Sequence, residues 1–581
     1  MSVQLRQVFM GSALLALTGT ACLAAGGGAK TPAAIDIRDP YLLQWSDLTY
    51  DKAPPAPVPG VDYGMRPDGS FQAPKATPLG SSPNFPGQIE GWDDKSYSLN
   101  VEPIAFYPNV SSPFHAWVEV ADFDGRRFMY VHDRDYIRVL DVTDPARATV
   151  VYSEGGVWGP DGSSEKWDAK TVQNYWGGLT FAWSQSLGKM VAVASYEIGR
   201  YGLLENKRTQ PEQVAALRNY NSLKGFKVYE MNGPLPSDWK LIATRTTDRV
   251  NPQAPIGEQQ GSGALDAVAW NGGKYMFLSA APDDAHALTE YPDYLHSPGY
   301  QVWDMSDPAD PEFVTQITVP GQVVGDAASE AAFLMNPRAG NRTSWMGSRM
   351  APFLPKPVEA GGTIAFGAMG GLGLYSFDIS NPDKPAILGH VNTPPSFAGT
   401  EFDNADVSQF ARTGYVFANG YPMNSNCYEP YKDILVIDAR APSELKVAAK
   451  FPRPTPPAEA GFKDYCQRKG SFGPKRSGTN QPGHGRDGLV AYAFYNAGLQ
   501  LFDVSNPLEP KIAGYYVPRF PTEAEMPEYT FENGSFAAFV EYDRNIIWLF
   551  SVNGVHALSS SLLGGPKSGL PGELWPPRTT H

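Results

Sequence analysis

An apolar strand pattern that ends in an acidic or polar residue and runs straight into a turn recurs along this 581-residue chain. Four copies are clear. They are Ile137–Asp141 before Val-Thr-Asp-Pro145, Tyr300–Asp304 before Met-Ser-Asp-Pro308, Leu374–Asp378 before Ile-Ser-Asn-Pro382, and Leu499–Asp503 before Val-Ser-Asn-Pro507. Degenerate copies end at Glu230 and Asp438, and Trp548–His556 stands as the last. Seven copies of one unit point to a repeat architecture, in which each unit builds a small core against its neighbours. A single compact core would be unusual at this length, because cores stop growing near ~250–300 residues. The acidic ends lie 89, 74, 74, 60 and 65 residues apart, against ~40–50 for common propeller repeats, so several units carry long loops.

The unit is easiest to follow from Ala264. Leu265–Trp270 reads as a first strand, Asn271–Gly273 as a tight turn and Lys274–Leu278 as a second strand. Gly299–Asp304 is a third strand and, after a turn at Ser306–Pro308, Phe313–Val319 is a fourth. The same order fits Phe114–Tyr152, Gly362–Val391 and Gly488–Val517. Four antiparallel strands repeated radially predict an all-β fold, a β-propeller of seven four-stranded blades with an extended N-terminal arm. The motif Asp has a structural role in this reading. Asx side chains accept a backbone N–H two residues on, and the following Pro sets φ at the corner.

The phrases Leu499–Tyr515 and Leu374–Gly389 resemble LVIVD repeats, which occur in bacterial and archaeal exported and surface proteins. The resemblance spans about residues 110–558 and implies a propeller and an exported location. It brings no general catalytic motif.

The N-terminus agrees with export. Arg6 is the one charged residue before Ala25, Val8–Leu17 is apolar, and small residues gather at Thr18–Ala25, the order of a signal peptide over residues 1–25. Cys22 raises a lipoprotein anchor, but Gly19 stands where a lipobox carries leucine. Residues 26–100 read as a Pro/Gly-rich arm, 101–558 as the propeller and 559–581 as a tail. No later segment is long and apolar enough to span a bilayer. The expected location is the periplasm, the cell surface or the extracellular space.

Removal of the signal leaves Cys427 and Cys466, an even pair that suggests a disulfide in an exported chain. The bridge would close a loop of about 40 residues, worth ~4 kcal/mol in the chain-entropy model. The net charge of −14 has no Lys/Arg stripe against it, which argues against nucleic-acid binding.

Inner strands of a propeller converge on its channel, so residues opening them meet in space. Asp266 and Asp406 each precede an aromatic residue by nine positions (Tyr275 and Tyr415), which predicts equivalent sites. His115, Glu330 and His484 join them as candidates for a divalent-metal site of mixed N/O type, able to activate water. The plainer alternative is that these groups satisfy one another around channel water. Asp122–Arg126 reads as a hairpin turn rather than a calcium loop, and His132–Asp135 as a surface ion-pair cluster. Tyr201, Tyr291, Tyr294, Tyr421, Tyr428 and Tyr431 lie in long loops and suit a glycan, a small apolar ligand or an envelope protein. No nucleophile-elbow, Walker, His-Glu-x-x-His or haem-attachment motif occurs.

The expected function is binding or scaffolding through one face built from insertions at about 154–175, 202–222, 249–263, 281–298 and 452–482. The alternative is a metal-dependent hydrolase at the channel mouth.

Overall fold

The computed structural model describes residues 95–108, 117–133, 136–155, 178–196, 223–283, 286, 297–323, 347–393, 400–422, 431–460, 462, 465, 471–478, 485–519, 534–551, 554–567 and 569–570. The first two strands, β1 (Tyr97–Leu99) and β2 (Val101–Pro108), join the last two blades. Blade one is β3 (Trp117–Phe123), β4 (Arg126–Asp133), β5 (Tyr136–Asp141) and β6 (Thr149–Gly155). Blade two is β7 (Leu179–Ser184), β8 (Lys189–Tyr196), β9 (Gly225–Met231) and β10 (Trp239–Thr246). Blade three is β11 (Leu265–Ala269), β12 (Tyr275–Ala280), β13 (Gly299–Asp304) and β14 (Glu312–Ile317).

Blade four has β15 (Ile364–Ala368), β16 (Leu374–Asp378) and β17 (Ala386–Val391), with a single bridge from Phe353 to Phe366 in place of an inner strand. Blade five is β18 (Thr400–Asp406), β19 (Tyr415–Tyr421), β20 (Ile434–Asp438) and β21 (Lys446–Lys450). Blade six has β22 (Leu489–Ala493), β23 (Leu499–Asp503) and β24 (Lys511–Val517). Its inner position is a bridge from Ser477 to Tyr492, and β1 adds outside β24. Blade seven is β25 (Ser535–Glu541), β26 (Ile546–Ser551) and β27 (Gly554–Ser560), with β2 outermost. The stretches 362–391 and 488–517 therefore hold three strands each, where the sequence pattern suggested four.

The blades close into a ring. Seven apolar clusters among the described residues each lie between two consecutive blades. Phe128, Tyr130 and Phe181 join blades one and two, for example, and Phe417, Phe451 and Phe502 join five and six. The decisive cluster joins the ends: Met129, Val131 and Leu140 of blade one pack with Ile546, Trp548 and Phe550 of blade seven. Successive residues of a second strand serve opposite neighbours. Met276 and Leu278 face blade two, whereas Phe277 between them faces blade four. Such strands are buried on both faces and therefore read as continuous apolar runs.

The end-to-end joint also carries a buried ion network. Glu541 accepts from Arg127 at 2.5 Å, from Arg544 at 2.7 Å through both oxygens, and from the Trp548 indole at 2.6 Å. Arg127 also binds Asp122 and Asp543, and Arg544 donates to the carbonyls of Val142 and Thr143. Along the chain, β2 completes the last blade by pairing with β27 from Val101–Ser560 to Pro108–Gly554.

The repeated Asp does what turn chemistry demands. Asp141, Asp304, Asp378, Asp438 and Asp503 each accept the backbone N–H two residues on, at 2.8–3.2 Å. Asp144, Asp307, Asn381 and Asn506 repeat the bond one turn later. The Ser505 backbone N–H holds the Asp503 carboxyl below the usual carboxylate range.

Candidate functional site at the ring axis

Antiparallel pairing fixes which connections share a face. Inner and third strands start, and second and outer strands end, at one end of the ring. The connections 156–178, 197–224, 247–264, 281–298, 318–352, 422–433, 451–476 and 518–534 all join strands at that end. The opposite end carries the third-to-outer connections 142–148, 232–238, 305–311, 379–385, 439–445 and 504–510, all of one length and, apart from 232–238, built on the repeated turn. The insertions singled out in the sequence thus belong to one face.

At the long-connection end of the inner strands, charged side chains meet on the axis. Asp266 lies in β11 where the pairing to β12 is irregular, with φ of 52°, a left-handed conformation that Asp tolerates better than most residues. Its carboxylate accepts from Arg476 at 3.0 Å. Arg476 directly precedes the inner bridge of blade six, and blades three and six are not neighbours, so this pair crosses the channel. The same guanidinium lies 3.6 Å from the Asp403 carboxylate of blade five. Beside it, the Lys475 ammonium sits 3.3 Å from the centre of the Tyr421 ring, and Arg349 donates to the Tyr421 hydroxyl. Asn404 donates to Asn419, which donates to the Lys475 carbonyl. All these groups are buried.

The register corrects one expectation. Asp406 pairs with Phe417, the third residue of β19, as Ala269 pairs with Phe277, the third of β12. Asp406 is therefore the counterpart of Ala269, not of Asp266. The equal nine-residue spacing misled because a helical turn, Phe410–Thr413, lengthens the connection after β18. Asp406 lies three residues beyond Asp403, about 10 Å along its strand at ~3.3 Å per residue. There it accepts the Ser408 N–H at 2.9 Å. Burial, and then the charge of Asp406, hold the Tyr492 and Tyr542 hydroxyls in their protonated form.

Of the other metal candidates, His115, Glu330 and His484 lie outside the described residues, as do Cys427 and Cys466. Among the described residues no group of three or more His, Cys, Asp or Glu is placed to hold a metal ion. Two further expectations change. His132 is buried rather than superficial, and burial pushes its pKa down to about 3, so it is neutral. Tyr421 and Tyr431 are also buried, packed against cations, and not part of an exposed aromatic surface. Tyr201, Tyr291, Tyr294 and Tyr428 lie outside the described residues. The turn at Asp124-Gly125 has positive φ at both residues, as a tight hairpin requires.

Sequence reasoning missed Lys475 and Arg476 because they stand in a Pro/Gly-rich stretch that reads as loop. Adjacent cations next to a strand-forming Ser477 were the available signal.

Blade four, residues 362–393, matches the LVIVD repeat family. The chain carries an LVIVD repeat. Its seven-bladed ring is consistent with an LVIVD-repeat propeller. No curated protein matches the sequence. Among solved structures, the Saccharomyces cerevisiae Sqt1 crystal structure matches with a TM-score of 0.34 and 8% identity, over 74% of this chain and 80% of that one. A likeness that weak carries no argument here. No helix among the described residues is long and apolar enough to cross a membrane.

Proposed function

We propose that this LVIVD-repeat propeller is an exported binding protein that engages a macromolecular partner through the face bearing its long connections. The observation that carries the reading is the unequal treatment of the two faces. One carries only short connections between the described strands, and the other collects the long ones, the usual place for function on a rigid ring.

The described connection 247–264 illustrates how such a segment is presented. Asp248 accepts from Gln260 and Gly261 at 2.9 and 2.8 Å, the Thr246 N–H donates to the Pro252 carbonyl, and Gln259 donates to the Ala254 carbonyl. These bonds fix a loop whose Val250 is 91% exposed and whose Ile256 is 50% exposed. Apolar groups held in water on a preorganised loop suit a contact surface. Export rests on the signal-like residues 1–25, and a Cys427–Cys466 disulfide is proposed with it. Tyr431 and Tyr465, each within four residues of one of the cysteines in sequence, both pack on Phe472.

The test compares crosslinked partners of the wild type, of Val250→Asp with Ile256→Asp, and of Leu508→Asp, which alters an exposed leucine on the opposite face. Loss of one specific partner only in the double variant is expected. Equal capture by all three would sink the proposal.

A further inference from the structure

The axial cluster contains a group that the described residues do not satisfy. Asp403 is 1% exposed, yet among the described residues neither carboxylate oxygen accepts a hydrogen bond, and the ionic contact it makes is to the Arg476 guanidinium at 3.6 Å. The side-chain oxygen of the adjacent Asn404, also buried, accepts none either, although its amide donates to Asn419. Buried acceptors without donors are uncommon and costly, because a carboxylate taken out of water loses bonds worth more than those of a neutral group. Asp403 belongs to the site geometrically as well. Its carboxylate and that of Asp266 converge on Arg476.

We propose that this axial site binds a small neutral polyhydroxylated molecule, a sugar or polyol, whose hydroxyl groups donate to Asp403 and Asn404. Two features select that chemistry. The buried carboxylates of Asp266 and Asp403 stand beside the buried cations of Lys475 and Arg476, so the described charges there balance in pairs and favour no ion. It also sets acceptors beside cationic donors at short range, and hydroxyl groups can answer both because each donates and accepts. The site lies at the end of the inner strands from which the long connections leave, and its occupancy does not depend on the macromolecular partner.

The test uses the full chain in sugar-free buffer, titrated by calorimetry with glucose, galactose, mannose, myo-inositol and glycerol, and with glucosamine and glucuronate as charged probes. Saturable binding of at least one neutral compound is expected, weakened tenfold or more in Asp403→Asn. Asn404→Ser serves as a second, milder variant and should weaken the same compound several-fold, while unliganded melting of both variants stays close to wild type. The proposal is overturned if no neutral compound binds at about 10 mM, or if only the charged probes bind. Equal affinity in both variants, or a co-crystal structure with ordered water alone at Asp403, would overturn it too.

Discussion

Replacing Glu541 by glutamine should damage the joint that closes the ring about as much as a large apolar deletion there. In the wild type one buried carboxylate takes four hydrogen bonds, from Arg127, from Arg544 twice and from Trp548. The introduced amide would keep the volume but lose the charge, and one of its two ends would present N–H groups to guanidinium donors. Removing one partner of a buried ion network costs about 3–5 kcal/mol, because the remaining charges stay buried. A ring of about 460 residues melting as one unit has ΔS near 1 kcal/mol/K at ~2.1 cal/mol/K per residue, so the midpoint should fall by about 3–5 °C. Burial pushes the Glu541 pKa up, but the hydrogen bonds and charges of Arg544 and Arg127 outweigh it and hold the group below its usual value. Its contribution is therefore complete above the unfolded-state pKa of ~4.3 and is lost as pH falls through the folded value. Urea denaturation of both proteins at pH 7 and at pH 3.5 provides the assay, with the difference shrinking in acid. A loss below about 1 kcal/mol at pH 7, or one of unchanged size at pH 3.5, would refute the reasoning.

Other outcomes follow from the same structure. His132 has its pKa depressed to about 3 by burial, so protonation in the unfolded state erodes stability below pH ~6.5. Between pH 7.5 and 5 this amounts to about 2 kcal/mol, which His132→Phe should abolish in urea titrations at the two pH values. Asp503→Ala removes the bond to the Ser505 N–H and should cost about 0.5–1.5 kcal/mol, read as a lower denaturation midpoint; an unchanged midpoint would deny the turn its structural role. Denatured, unreduced mature protein should show no reactive thiol from Cys427 or Cys466, whereas two would remove the proposed bridge. Because Arg476 already neutralises Asp266, protein purified without a histidine tag should contain less than one equivalent of divalent metal. A stoichiometric ion would favour the hydrolase reading that rests on His115, Asp266, Glu330, Asp406 and His484.

The architecture was legible where local chemistry and packing agree. The Asp–Pro turns are short-range devices, and the second strands are apolar on both sides, so both stand out along the chain. The inner strands of blades four and six were not legible, since each is a single bridge at Phe353 or Ser477, too short for any periodicity. Nor could the chain reveal that Tyr97–Leu99 and Val101–Pro108 pair with strands more than 400 positions away, because such pairing leaves no local pattern. At the axis, Asp266 was found as an acid opening an inner strand. Its partner Asp403 was missed in favour of Asp406, because spacing along the chain cannot detect an extra helical turn between strands. Arg476 was hidden for a different reason: its importance comes from reaching across the channel, a relation between blades rather than within one.

The pairing of β2 with β27 sets a timetable for biogenesis. Val101 finds its partner Ser560 only once all the blades between them have been made, so this strand must wait while blades one to six condense behind it. A nascent chain halted before residue 554 would hold an unfinished circle with an open seam between its first and last blades. Such an intermediate is a natural client for a chaperone, and quality control that reads exposed seams would see this protein as immature until its final strand arrives.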